Sequence, residues 1–273
     1  MLQALDWLPR TEGSVRLGLA RKGEKTRVVA LAQAGAARCK FPRLGRAEPC
    51  EGVLINTAGG LTGGDKIAIA VALGAGANAT LTTAAAEKIY RARAGTVAVS
   101  VALSLAGNAQ LAWLPQPTIL FDGAALARTT EVELDAEASF LGVELAIFGR
   151  AAMGESLRAA RLNDAWRVRR AGALLFADAL RLEGPVAQLI ARPALLGGAG
   201  ATGLLVYVAP AAQERIETAR AILHNAGGMA GVSAFSGMLV ARAAAADGRT
   251  LQAQLAPLIE ALLGRPLPRI WTC

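Results

Sequence analysis

The side chains that most often build catalytic centres are scarce in this chain, and that scarcity decides much of what it can do. There is one histidine, His224, whereas zinc, nickel and most general-base sites are built with several imidazoles. A Ser-His-Asp hydrolase needs only one, but no G-x-S-x-G elbow supplies its nucleophile. His224 falls near the end of an expected helix, just before Gly227-Gly228, where a cation complements the helix dipole. Cys39, Cys50 and Cys273 are odd in number and lack CxxC spacing, so they read as reduced, structural thiols and not as a disulfide framework. Glu131 and Glu133 stand two apart on an expected strand and share a face, the arrangement a carbohydrate-active β-helix would use for paired carboxylates. Sugar clefts are lined with aromatics, however, and aromatics make up 4% of this chain and are scattered along it.

The densest local signal is Leu54-Ile-Asn-Thr-Ala-Gly-Gly-Leu-Thr-Gly-Gly-Asp65, with four glycines in six residues. Such a run demands unusual backbone angles or close chain approach. A phosphate cradle is the alternative reading, but the Gly-Lys-Ser/Thr of a P-loop is missing, the spacing is not G-x-G-x-x-G, and a strand follows in place of a helix N-terminus. A bend that holds the Asp65 carboxylate in a fixed place fits better. Thr82-Thr-Ala-Ala-Ala-Glu-Lys-Ile-Tyr-Arg91 brings Glu87, Lys88, Tyr90 and Arg91 together after a strand, with Glu87 and Lys88 on opposite faces if the strand continues. Trp113-Leu-Pro-Gln-Pro-Thr-Ile-Leu-Phe-Asp-Gly123 combines rigid prolines with a turn at Asp122-Gly123, and Phe148-Gly-Arg-Ala-Ala-Met-Gly-Glu155 ends a long apolar strand.

The elements that must position these groups are mostly strands. Apolar residues alternate with small or polar ones in Val15-Leu17-Leu19, Ile67 to Leu73, Val97 to Leu105 and Val132-Leu134, which is the period of two. Three units also recur, each a strand, a tight Gly/Ala/Asn turn and a second strand. Aligning Ala79, Ala109 and Ala138 gives offsets of 30 and 29 residues. Units of this kind bury their faces only by stacking on neighbours. The expected architecture is therefore mainly β, stacked sheets of β-helix-like (solenoid) character, with a β-sandwich as the alternative. After about Gly197 the pattern changes to a strand at Leu204–Val208, a helix over 211–226, a strand pair (Val232 to Phe235, Met238 to Ala243) and a helix carrying Leu251, Leu255, Leu258 and Leu262. Pro257 should kink that last helix or delay its start. Without a Pro- or Ser-rich linker the whole of 1–273 reads as one domain: a β stack over about 14–196 and a C-terminal α/β portion with two α-helices over about 197–273.

Composition sets the remaining bounds. Hydrophobic residues reach 53% and charged ones 18% of 273 residues, so the chain folds around a sizeable core. The net charge of +8 comes from singly scattered arginines, without the basic blocks of a nucleic-acid arm, and leaves room for an acidic partner. Mean hydropathy is +0.38, yet no run of about 18 apolar residues is free of Gly, Pro or charge, so no spanning helix is expected. Asp6, Pro9 and Glu12 interrupt Met1–Arg16 where a signal peptide needs a continuous apolar core. A cytoplasmic location is expected.

The glycine-rich motif, the T-T-x-A-A-E-K-I-Y-R stretch, W-L-P-Q-P-T-I-L-F-D-G-A, F-G-R-A-A-M-G-E and the closing Leu267-Pro-Arg-Ile-Trp-Thr-Cys273 together resemble the UreD (UreH) urease accessory protein family, in order from about Arg16 to the C-terminus. Position 84 departs from the pattern, being Ala where a polar residue, usually Gln, is expected. The resemblance implies a non-enzymatic maturation factor that works with UreF, the GTPase UreG and apo-urease, in a dimeric assembly through UreF, with nickel delivered by UreE. It implies no permanently bound cofactor and transient Ni²⁺ at most, carried through an interior passage. Carboxylates bind such a cation weakly enough to release it. Asp65, Glu87, Asp122, Glu144 and Glu155 are the expected passage contacts, Lys88 and Tyr90 positioning or partner residues, and Trp271 an interface anchor. The competing reading is that each carboxylate caps a turn or pairs with Arg91, Arg128 or Arg150, and that the chain is a pure adaptor without nickel contact.

Overall fold

The computed structural model describes residues 10–42, 49–150, 154–155 and 157–272. Met153, Cys273 and the N-terminal Asp6 and Pro9 lie outside them. Among the described residues the strands, in chain order, are β1 (Glu12–Lys22), β2 (Lys25–Gly35), β3 (Ala37–Lys40), β4 (Cys50–Asn56), β5 (Lys66–Leu73), β6 (Asn78–Thr83), β7 (Glu87–Ile89), β8 (Val97–Leu105), β9 (Gln110–Leu114), β10 (Thr118–Leu120), β11 (Ala125–Leu134), β12 (Ser139–Phe148), β13 (Ala160–Arg170), β14 (Ala173–Gly184), β15 (Ala201–Val208), β16 (Met229–Phe235) and β17 (Met238–Ala245). The helices are α1 (Val186–Ile190), α2 (Ile216–Ala226) and α3 (Gly248–Leu263).

The recurring strand–turn–strand units stack as solenoid rungs. Their first strands, β5, β8 and β11, join β1 and β13 in a parallel ladder closed at its edges by antiparallel β2 and β14. Their second strands, β6, β9 and β12, form with β4 the parallel part of a second sheet, to which β15, β17 and β16 are added antiparallel. In β5 the period of two sends Ile67, Ile69, Val71 and Leu73 inward and leaves Lys66 and Ala68 exposed. Leu17, Leu19, Leu103, Phe140 and Trp166 fill the space between the sheets. Strand β12 is buried on both faces, as a strand covered by a sheet on one side and helices on the other must be.

The rung register differs from the alignment of alanines by two residues. Gln110 pairs with Asn78 on one side and Ser139 on the other, so Ala77, not Ala79, stacks with Ala109 and Ala138. The N–H of each donates to the residue three back, Gly74, Ala106 and Asp135, at 3.0, 3.0 and 3.1 Å, and all three are fully buried. A slip of two keeps every side chain on its own face. Hydropathy therefore cannot see it in Gly74-Ala-Gly-Ala-Asn-Ala79, and the turn hydrogen bond decides.

Helix α3 covers the outer face of the second sheet with Leu251, Leu255, Leu258 and Leu262. It starts where Asp247 accepts from the Thr250 N–H at 2.9 Å and its hydroxyl at 3.0 Å, and it ends at left-handed Gly264. It runs through Pro257 without the delayed start expected from the sequence, because the Asp247 cap fixes the first turn well upstream. Helix α2 ends at Gly227, with His224 exposed in its last turn. The tail beyond α3 is stitched down by Arg265 to the Thr80 hydroxyl and by the Trp271 indole N–H to Leu114 O at 3.0 Å. Among the described residues no helix is long and apolar enough to cross a membrane.

Candidate functional site: two ionic clusters of the β stack

Parity along β11 puts Leu126, Arg128, Thr130, Val132 and Leu134 on the inward face, so an arginine enters the space between the sheets. Its ladder neighbour on β13 is Asp164. Arg128 Nε donates to Asp164 Oδ1 at 3.0 Å and Nη1 to the Thr118 hydroxyl at 2.9 Å, while Nη2 faces Asp164 Oδ2 at 2.5 Å. Nη2 also lies 2.7 Å from Glu144 Oε1, an ion pair without hydrogen-bond geometry. All three charged groups are buried. Burial raises the Glu144 carboxyl well above the usual range; Arg128 opposes that rise and Asp164 adds to it. Burial acts to lower the Arg128 pKa, but Asp164 and Glu144 outweigh it and hold the guanidinium charged.

Glu87 opens into the same space. The Asn56 amide donates to both of its oxygens at 3.1 Å. Burial raises its pKa, and the Asn56 hydrogen bond offsets part of the rise. A cavity of about 80 Å³ is lined by Thr83, Glu87, Trp113, Thr118, Arg128 and Glu144, among others. A second, of about 220 Å³, shares Thr83 and Glu87 and includes Asn56. An open groove of about 820 Å³ lies between α3 and the ends of β10 and β12, with Gln116, Arg150 and Trp271 in its wall.

The other cluster sits at the end of the stack, where the loops after β4, β7, β10 and β12 meet. Asp65 fixes the first of them: Oδ1 accepts from Thr11 N–H and Oδ2 from Thr62 N–H, both at 2.8 Å. The glycines beside it make room for a neighbour, since a Cβ on Gly60 would come 2.3 Å from the Tyr90 ring. Tyr90 stands edge-on to Phe121 at 4.9 Å, its hydroxyl bonded to Gly59 O at 3.2 Å, and the Arg150 guanidinium lies 4.3 Å over Phe121. Asp122, in the turn at Gly123, accepts from the N–H groups of Arg158 and Ala159 on Oδ1 and from Arg91 and Arg158 on Oδ2. Those contacts, the Ala159 N–H foremost and then Arg158, hold its pKa below the usual carboxylate value. Glu155 is lowered by its two hydrogen bonds from Arg150, at 2.9 and 3.2 Å.

The five carboxylates singled out in the sequence thus separate. Glu87 and Glu144 share the inner cavity, whereas Asp65, Asp122 and Glu155 hold the loop end. Among the described residues no three His, Cys, Asp or Glu side chains are grouped so as to hold a metal ion. Lys88 is exposed, Tyr90 is half-exposed, and Trp271, in the tail, is bonded to Leu114 of β9 while also lining the groove. Glu131 and Glu133 are exposed on the outer face of the first sheet, where Glu133 pairs with Arg169 at 3.4 Å. Asp164 and Asn56 escaped sequence reading. Parity was the available signal for Asp164, which sits between inward Leu162 and Trp166.

The family model for the UreD urease accessory protein matches residues 11–272. The chain belongs to the UreD family. This UreD-family chain is 44% identical over 262 residues to a urease accessory protein UreD of Azorhizobium caulinodans, covering 96% of each chain. It is 46% identical over 262 residues to that of Xanthobacter autotrophicus, covering 96% of this chain and 90% of the other. Against the UreD of Rhizobium leguminosarum bv. viciae it is 45% identical over 263 residues, covering 96% and 95%. The motifs of both ionic clusters fall inside the matched span.

Proposed function

We propose that this chain is a urease maturation factor: a cytoplasmic, non-catalytic scaffold that joins UreF, the GTPase UreG and apo-urease, in a dimeric assembly through UreF, so that nickel brought by UreE enters the urease active site with GTP hydrolysis. The observation that carries this reading is similarity to urease accessory proteins over nearly the whole chain, both clusters included. No resident cofactor is proposed; nickel is cargo.

Within that role Glu87 is the carboxylate best suited to touch passing nickel. It faces the two adjoining cavities and is held by the neutral Asn56 amide and by one backbone donor, the Lys88 N–H at 3.2 Å. Glu144, Asp122 and Glu155 would each have to leave an arginine, and Asp65 two short backbone hydrogen bonds, so they are poorer ligands. The adaptor reading, with no nickel contact, draws on those same engaged carboxylates. Co-expression with UreF, UreG and apo-urease tests the role: complex formation and GTP- and nickel-dependent activation should both depend on this chain. If neither does, the maturation reading is wrong. If Glu87→Gln assembles the complex and loads nickel as the native chain does, the adaptor reading stands and the passage contact is lost.

A further inference from the structure

Asp122 does more than close a turn: it ties two exposed guanidinium groups to one oxygen. Arg91 Nη2 and Arg158 Nη2 both lie 3.0 Å from its Oδ2. Arg91 Nε also donates to the Asp122 carbonyl, and Arg158 Nε to the same Oδ2, each at 3.3 Å. One edge of each guanidinium is thereby used, and among the described residues no hydrogen bond engages either Nη1 group, which is itself a donor. The side chains remain 64% and 75% exposed, and two cations share one anion, so the triad carries a net positive charge. Gly123, at φ +81°, fixes the path of Arg91, because a Cβ there would come 2.9 Å from Arg91 Cγ.

The surroundings add positive charge and apolar surface. Lys88 and Arg93 are exposed nearby in sequence. The acids of these loops are engaged: Asp65 by backbone N–H groups and Glu155 by Arg150. Beside the triad stand Tyr90 and Phe121 with Arg150 over the ring, and Arg150 also borders the open groove whose wall includes Pro117, Ile119 and Ile147.

We infer that Arg91 and Arg158, held side by side by Asp122, form a carboxylate clamp for an acidic segment of a protein partner, whose neighbouring apolar side chains cover Tyr90 and enter the groove at Arg150. Two guanidiniums already immobilised lose little further freedom on binding a second carboxylate. A second copy of this chain is a poor occupant, given a net charge of +8. A single-stranded nucleic acid also uses cations beside an aromatic, but it takes them in a track along successive phosphates, whereas here two guanidiniums converge on one carboxylate.

This inference rests on the maturation role for its partner, and the test separates the two. In the co-expressed complex, native retention of the partner should fall steeply as salt rises from about 0.05 to 0.5 M. The Arg91→Gln/Arg158→Gln variant should bind at least tenfold more weakly at low salt, with a flatter salt response. Arg91→Lys/Arg158→Lys, which keeps charge but loses the fork, should fall between them; it replaces the Gln variant should that melt early. Equal retention and equal salt response in native and variant chains would overturn the clamp while leaving the maturation role intact. Nucleic acid that co-purifies with the native chain and is released by the variants would also overturn it. If the native chain assembles no complex, the maturation reading falls. The clamp is then decided on the isolated full chain with a labelled peptide of alternating Glu and Leu: binding lost in the Gln variant sustains it, and equal binding overturns it.

Discussion

The two ionic clusters use the same residue types to opposite electrostatic effect. Between the sheets one guanidinium serves two carboxylates away from bulk solvent, and burial raises Glu144. At the loop end one carboxylate serves two guanidiniums that remain largely in solvent, and the donors around it lower Asp122. Net charge and solvent access together, more than the number of salt bridges, decide whether such a cluster acts as an internal constraint or as a receptor for a partner.

The contrast breaks first, if it breaks, at Arg128. Arg128→Met leaves Glu144 and Asp164 buried beside each other without their shared cation, and urea unfolding should show a loss of about 3–5 kcal/mol. Gly63→Ala probes the backbone of the loop end: its Cβ would come 2.2 Å from the Ala94 carbonyl oxygen, and a thermal melt should register about 1–3 kcal/mol. Asp122→Asn, which weakens the backbone and guanidinium contacts of one side chain, should cost about 1–3 kcal/mol at neutral pH.

The pH response of the two carboxylates should run in opposite directions. Asp122 has a lowered folded pKa, so its contribution is present above its ordinary value of 3.8 and is lost as pH falls through the folded one. Glu144 has a raised folded pKa; between its ordinary 4.5 and the folded value the native state holds the extra proton, so stability falls as pH rises. Unfolding curves across pH should show Asp122→Asn flattening the acid-side loss and Glu144→Gln flattening the alkaline-side decline. Parallel profiles for the two variants would erase the distinction. The smallest effect belongs to Arg158→Gln, expected within about 1 kcal/mol because the side chain is exposed.

Much of the fold was legible in the residues. Alternation over Ile67–Leu73 and Val97–Leu105 gave strands facing the right way, the three strand–turn–strand units gave stacking, and Gly227 gave the end of α2. The candidate site was legible only in part. Arg91, Arg128 and Arg150 were the expected arginine partners, and the structure pairs them with Asp122, Glu144 and Glu155. Arg158 and Asp164, which complete the two clusters, were not visible, because each reaches its partner from 36 residues away in sequence.

By itself the sequence determined the β class, the inward and outward face of each alternating strand, the glycine positions and the UreD family. Those follow from local rules, since side chains alternate on a strand and only glycine tolerates certain backbone angles without strain. Tertiary structure alone decided that Ala77 and not Ala79 stacks with Ala109, that Glu144 is buried beside Arg128 while Asp122 gains donors, and that five carboxylates divide between an interior and a rim. A period of two fixes which face a residue takes but not which rung lies beside it, and ionic partnership depends on the rung.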